Sequence, residues 1–207
     1  MLTKVRRERL DAEKRKKQIV QVALALVAKH GADAVSTQLI AETIGITQAA
    51  VFRHFPTKEA LWSAVMDWLN DRLEEVRQKA RAEAPDQGIG VLKRIFLGHI
   101  ALIERHPGLA KVVMSDHIRR QYPELHRRFT SAHRKYEDEI RKALDAAARS
   151  AQISPKLDRR AATTLFLCAI QGLGFQFSIA RVLPSMLKDA AQIFVLLKRG
   201  LAPRSQL

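Results

Sequence analysis

One cysteine, Cys168, stands in the whole chain of 207 residues, so neither an intrachain disulfide nor a cysteine zinc site is available, and a reducing cytoplasm is the natural compartment. Seven prolines and nine glycines are few, and they fall mostly between stretches rich in Ala, Leu, Arg, Lys and Glu. β-Branched runs with period-two alternation are missing, which excludes a sheet protein and leaves an all-α fold of about nine helices. Acidic charge is also short: 21 Asp and Glu face 36 Lys and Arg, a net +15. So large a surplus selects a polyanionic partner, either nucleic acid or an anionic membrane.

The N-terminus is basic (Lys4, Arg6, Arg7, Arg9, Lys14, Arg15, Lys16, Lys17), but no apolar run follows closely, so it reads as an arm and not as a secretory signal. One stretch, Ala161 to Ala180, is uncharged and about as long as a membrane span. Its Thr163, Thr164, Gln171, Gln176 and Ser178 would carry polar groups into hydrocarbon, so a helix buried in a bundle or between subunits is the better reading.

The punctuation divides the rest. Ile19, Val22, Ala23, Leu26 and Val27 share one face of a first helix from about Asp11 to Lys29, stopped by Gly31. Ser36 caps a short helix over Thr37 to Ile44, and Gly45 ends it. Thr47 caps a third from Gln48 to His54, and Thr57 a long fourth with Leu61, Val65, Trp68, Leu69 and Leu73 inward. After Pro85, Gly88 and Gly90, a fifth helix carries Leu92, Ile95, Phe96, His99 and Ile103. Pro107 opens a sixth and Pro123 a seventh, whose stripe is Leu125, Phe129, Ala132, Tyr136, Ile140, Ala143 and Ala147. Ser154 and Pro155 start an eighth, running to about Arg181, and a ninth spans Ser185 to Arg199.

Residues 36 to 54 therefore have the parts of a helix-turn-helix, a pattern that capped helix pairs outside DNA-binding proteins also show. Ser36, Ile40, Ala41, Gly45, Ile46, Thr47, Phe52, Arg53, His54, Phe55, Pro56, Lys58, Glu59 and Leu61 fall on a more specific pattern. Gly31 through Leu61 resembles the DNA-binding domain of the tetracycline-repressor (TetR/AcrR) family. That resemblance implies a dimeric transcription regulator with Gln38, Gln48 and Ala49 at the major-groove floor. It places Ser36, Thr47, His54 and Lys58 at phosphates, with Thr37, Phe52 and Arg53 on the same surface. The chemistry agrees, since glutamine pairs with adenine, a methyl meets thymine, and hydroxyls at helix N-termini suit phosphate oxygens. Position 52 departs from the pattern: the family's tyrosine hydroxyl is absent from Phe52, which reads as core packing.

The resemblance further implies two domains, residues 1–60 for DNA and 61–207 for effector binding and dimerisation, with the last two helices paired across a homodimer. The apolar stretch around Gly172 and Gly174 independently asks for a close partner. A mainly apolar effector would be lined by Phe96, His99, Ile103, Met114, Phe129, Tyr136, Phe166 and Phe175. Beyond Leu61 there are 25 Lys or Arg against 15 Asp or Glu, which favours a neutral or acidic ligand. His126 and His133 lie seven apart without the tight pair or cysteines that a zinc site wants, and no nucleophile with a base or phosphate-cradling loop marks an enzyme. Neither a cofactor nor a metal is expected. The reading is a DNA-binding regulator, a repressor released from a palindromic operator by a small molecule. Its rivals are a DNA-binding or architectural protein controlled by a protein partner, and a binder of RNA or anionic membrane.

Overall fold

The computed structural model of the chain describes residues 2–179 and 185–203, with residues 2–10 described by backbone alone. Among them it has ten helices and no strand. They are α1 (Leu2–His30), α2 (Thr37–Ile44), α3 (Gln48–His54), α4 (Lys58–Glu83), α5 (Ile89–Arg105), α6 (Gly108–Val113), α7 (Asp116–Gln121), α8 (Pro123–Arg149), α9 (Arg159–Ile179) and α10 (Met186–Leu201).

Three boundaries differ from the sequence reading, each for a local reason. The helix expected from Asp11 begins at Leu2, because nothing in the basic segment breaks a helix and Lys and Arg are good helix formers. The single helix expected after Pro107 is two, since the Ser115 hydroxyl accepts the Ile118 N–H at 3.2 Å and starts a new one. The helix expected from Ser154 starts at Arg159, where the Asp158 carboxylate accepts the N–H groups of Arg160 and Ala161. Its expected end at Arg181 lies outside the described residues, as do the side chains of Lys4, Arg6, Arg7 and Arg9.

The chain forms two compact units. The first comprises the residues up to Leu69 together with His106–Arg127, and the second Asn70–Arg105 together with the chain from Arg128 onward.

In the first unit α1 packs on α2, α3 and α6. Its buried face (Ile19, Val20, Ala23, Leu24, Val27) meets a core that includes Val35, Ile40, Val51, Phe55, Leu61, Trp62 and Val65. Gly31, at φ 84°, ends α1 in a conformation that L side chains rarely adopt. α6 lies so close to α1 that a Cβ on Gly108 would sit 2.1 Å from the Leu24 carbonyl oxygen. One turn on, the Lys111 ammonium donates to the Ala28 carbonyl at 2.6 Å, supplying charge and a donor at the C-terminal end of α1.

In the second unit α5, α9 and α10 pack on one another. Phe96 is fully buried, edge-on to Phe166 at 5.4 Å and tilted against Phe194 at 5.7 Å. α5 begins where the Asp86 carboxylate accepts the N–H groups of Gly88 and Gly90. One polar pair interrupts this apolar interior: His99 Nδ1 lies 2.8 Å from the Tyr136 hydroxyl. The Arg77 guanidinium stands 5.4 Å from the Tyr136 ring centre. Burial, reinforced by the charges of Arg77 and His133, lowers the His99 pKa to about 4, and burial raises that of the Tyr136 phenol. The pair is therefore neutral at pH 7.

Two outcomes follow for stability. Gly108→Ala must push α6 off α1 and should cost roughly 1–3 kcal/mol or more in denaturant unfolding, whereas Lys111→Met, losing one charge-assisted bond, should cost about 1–2 kcal/mol. Equal, negligible losses would contradict the close approach. Because the folded chain resists protonation of His99, the unfolded chain binds more protons between the ordinary histidine value and about 4. Stability should fall as pH drops through that window, by up to about 2–3 kcal/mol from this residue. His99→Gln should flatten the fall in melting temperature measured from pH 7 to 4.5.

Candidate nucleic-acid interface

The site begins with two caps and a glycine. Ser36 Oγ accepts the Leu39 N–H at 3.0 Å and starts α2. Gly45, at φ 77°, ends α2 with its own N–H on the Ala41 and Glu42 carbonyls. Thr47 Oγ1 then accepts the Ala50 N–H at 3.2 Å and starts α3. Both hydroxyl-bearing caps are exposed, so each can hold a helix N-terminus toward an anion. Thr57 repeats the device for α4, whose first residue is Lys58.

Val51 and Phe55 are buried and fasten α3 to the core, while Ala49, Phe52 and Arg53 are exposed on its outer surface. Gln48 is held: its Nε2 donates to Thr37 Oγ1 at 2.9 Å. That bond consumes one amide hydrogen and leaves the other, with the carbonyl oxygen, for the two-point pairing that adenine offers. Thr37, expected among the contacting residues, is buried and positions Gln48 instead. Gln38 is exposed and its amide donates to Glu42 at 2.7 Å. Phe52 corrects the sequence reading: its side chain is not core packing, being 41% exposed, because Val51 beside it takes the inward position.

Positive charge surrounds this face. A cleft of about 350 Å³ is lined by Asp11, Ala12 and Arg15 of α1 and by Arg53 and His54 of α3. Burial lowers the His54 pKa first, and the charges of Lys16, Arg53 and Arg15 add to it, with Glu13 opposing. Such a group meets a phosphate as a hydrogen-bond donor in a field that already favours anions. Arg15 and Lys16 fall within the first helix that the sequence reading began at Asp11. Their placement beside His54 is what the sequence did not show.

The residues expected around an effector divide differently. Phe96 and Phe166 pack together, Ile103 is buried, and His99 bonds Tyr136. Phe129 is half-buried and stacks on His133. Phe175 is 51% exposed on α9, and Met114 belongs to the first unit, where it is exposed. Also in the second unit, a cleft of about 530 Å³ lies between α4 and α8, where Arg77, Arg81, Lys135 and Lys142 mingle with Glu74, Asp138 and Glu139. Arg81 there bridges Glu74 and Glu139. An apolar groove of about 510 Å³ runs beside α9 and α10, with Ala161, Leu165, Ile193, Leu196 and Leu197 in its walls. Among the described residues no three His, Cys, Asp or Glu gather where they could hold a metal.

Residues 19–65 match the family described as bacterial regulatory proteins, tetR family. The nucleoid occlusion factor SlmA of Marinobacter nauticus is 28% identical over 132 residues, 63% of this chain and 66% of that protein, so the match spans just under two-thirds of the relative. SlmA of Serratia proteamaculans is 22% identical over 138 residues, 67% of this chain and 69% of its own. Two solved structures share the fold. The ketosteroid transcriptional regulator KstR2 of Mycobacterium tuberculosis has a TM-score of 0.77 at 15% identity, covering 92% of this chain and 96% of its own. The TetR-family regulator PfmR of Thermus thermophilus has 0.74 at 21% identity, covering 89% and 96%. The helix-turn-helix segment is thus matched by the model of the tetR-family regulatory proteins, and the all-α fold is shared with these solved regulators.

Proposed function

We propose that this chain is a DNA-binding regulator of the TetR family and not an enzyme, a cytoplasmic repressor that binds a palindromic operator as a homodimer. An apolar, neutral or acidic small molecule, held in the second unit, releases it. The observation that carries the DNA half is the Thr37–Gln48 bond, which presents a pre-set amide beside the exposed Ala49 on a capped helix. Ser36, Thr47, Arg53, His54 and Lys58 are the phosphate-facing set, and Gln38, Gln48 and Ala49 face the bases. Release follows if the effector prefers the dimer state whose half-site separation does not fit the operator.

The homodimer is supported by α9 and α10. Leu165, Phe175, Ile179, Val195 and Leu196 are large apolar side chains left exposed there, in a chain otherwise dominated by charge. α9 is long and apolar enough to cross a membrane by length and composition. Its Ala162, Phe166, Leu167 and Ile170 are already buried against its own chain, so a second copy covering the remaining face is the better reading.

A second reading has support of its own. The relatives matched over about two-thirds of this chain are named nucleoid occlusion factors, so control without a small-molecule effector, by a protein partner, is the alternative.

Selection of bound duplexes from a random pool should return one palindromic consensus, and its absence would reject the operator reading. On that consensus Gln48→Ala should cost roughly 1–3 kcal/mol but much less on scrambled DNA, with the salt dependence unchanged. Lys58→Ala should weaken both alike and make the slope of log affinity against log salt shallower by about one unit. In sedimentation at micromolar concentration the chain should be one dimeric species, and Leu196→Glu should shift it toward monomer; a wild-type monomer would remove the interface.

A further inference from the structure

Phe52 carries a feature that neither the core nor phosphate binding uses. It is 41% exposed, while Val51 of the same helix and Phe55 just past its end are 0% and 5% exposed and do the packing. Its ring has no donor for a phosphate oxygen. At helical spacing it neighbours Gln48 four residues back and Ala49 three back, and Ala49 is exposed as well. A methyl and a phenyl ring thus form a small apolar patch adjoining an amide held by Thr37. A major groove offers one apolar group of matching size, the C5 methyl of thymine, and only that group distinguishes thymine's edge by contact alone.

We propose that Phe52 is a specificity-determining residue that reads a thymine methyl next to the base pair met by Gln48. The proposal rests on the DNA-binding reading above and deepens it. Phe52 then adds sequence preference without adding to the charge-dependent part of affinity, because closing a ring over a methyl removes apolar surface from water and displaces no counterion.

The test uses the full chain and the duplex selected from the random pool, with each thymidine in turn replaced by deoxyuridine, which removes the methyl and nothing else. At one position per half-site the wild-type chain should bind roughly threefold to fivefold more weakly, the value of one buried methyl. Phe52→Ala should abolish the difference at that position and leave the salt slope unchanged, while Phe52→Tyr, which keeps the ring, should retain it. Circular dichroism of both variants should match wild type, since the side chain is outside the core. Indifference of the wild type to deoxyuridine everywhere would overturn the proposal. So would a Phe52→Ala variant that still discriminates, which would assign the methyl to Ala49. Loss of affinity without loss of discrimination would mean that the ring rests on deoxyribose. If no duplex is selected at all, the DNA-binding reading fails and this inference with it; a selected duplex indifferent to deoxyuridine sinks this inference alone.

Discussion

The exposed face of α3 depends on one backbone conformation. Gly45, in the left-handed region, turns the chain out of α2 in time for Thr47 to start the next helix two residues later. A side chain at that position would be strained in this conformation whatever space surrounded it, and the short turn leaves no other residue to absorb the change. Every other element of the interface inherits the result. Val51 reaches the core, Gln48 reaches Thr37 across the turn, and Ala49, Phe52 and Arg53 are left outside because those inward positions are taken.

The parts of this arrangement written in local chemistry could be read without coordinates. Ser36, Gly45, Thr47 and Thr57 act within four residues of themselves, so α2, α3 and the start of α4 were legible to the residue. Where the signal is competitive, reading fails. Ser154 and Asp158 both offer caps, and the carboxylate with two N–H partners wins. Ser115, unremarkable in sequence, divides a helix because its hydroxyl has a donor within reach. Three-dimensional partners were out of sight altogether. Nothing local says that Thr37 would hold Gln48, or that Phe96 and Phe166 would meet in the core. Apolar stripes show which residues point inward, not which of them meet.

Basic side chains crowd the cleft beside His54, and the large exposed aliphatic and aromatic side chains concentrate on α9 and α10. These two surfaces respond to opposite conditions. Salt screens the first over about 10 Å at 0.1 M and leaves the second untouched or strengthened, while cooling weakens the second more than the first. Conditions that favour covering the second surface are thus different from those that favour an anion at the first.

The contact at Gly108 bears on how this molecule could be cut or recombined. The unit that holds the helix-turn-helix is discontinuous in sequence, since α6 and α7 belong to it although more than forty residues separate them from α3. α1 presents to α6 a groove shaped for a residue without a side chain, and the Ala28 carbonyl there is met by Lys111. A fragment stopping after α3 would bare that groove and the apolar surface beside it. Chimeras that graft this DNA-reading head onto another body would have to carry residues 106–127 along with it, so the transferable module is a three-dimensional patch and not a stretch of chain.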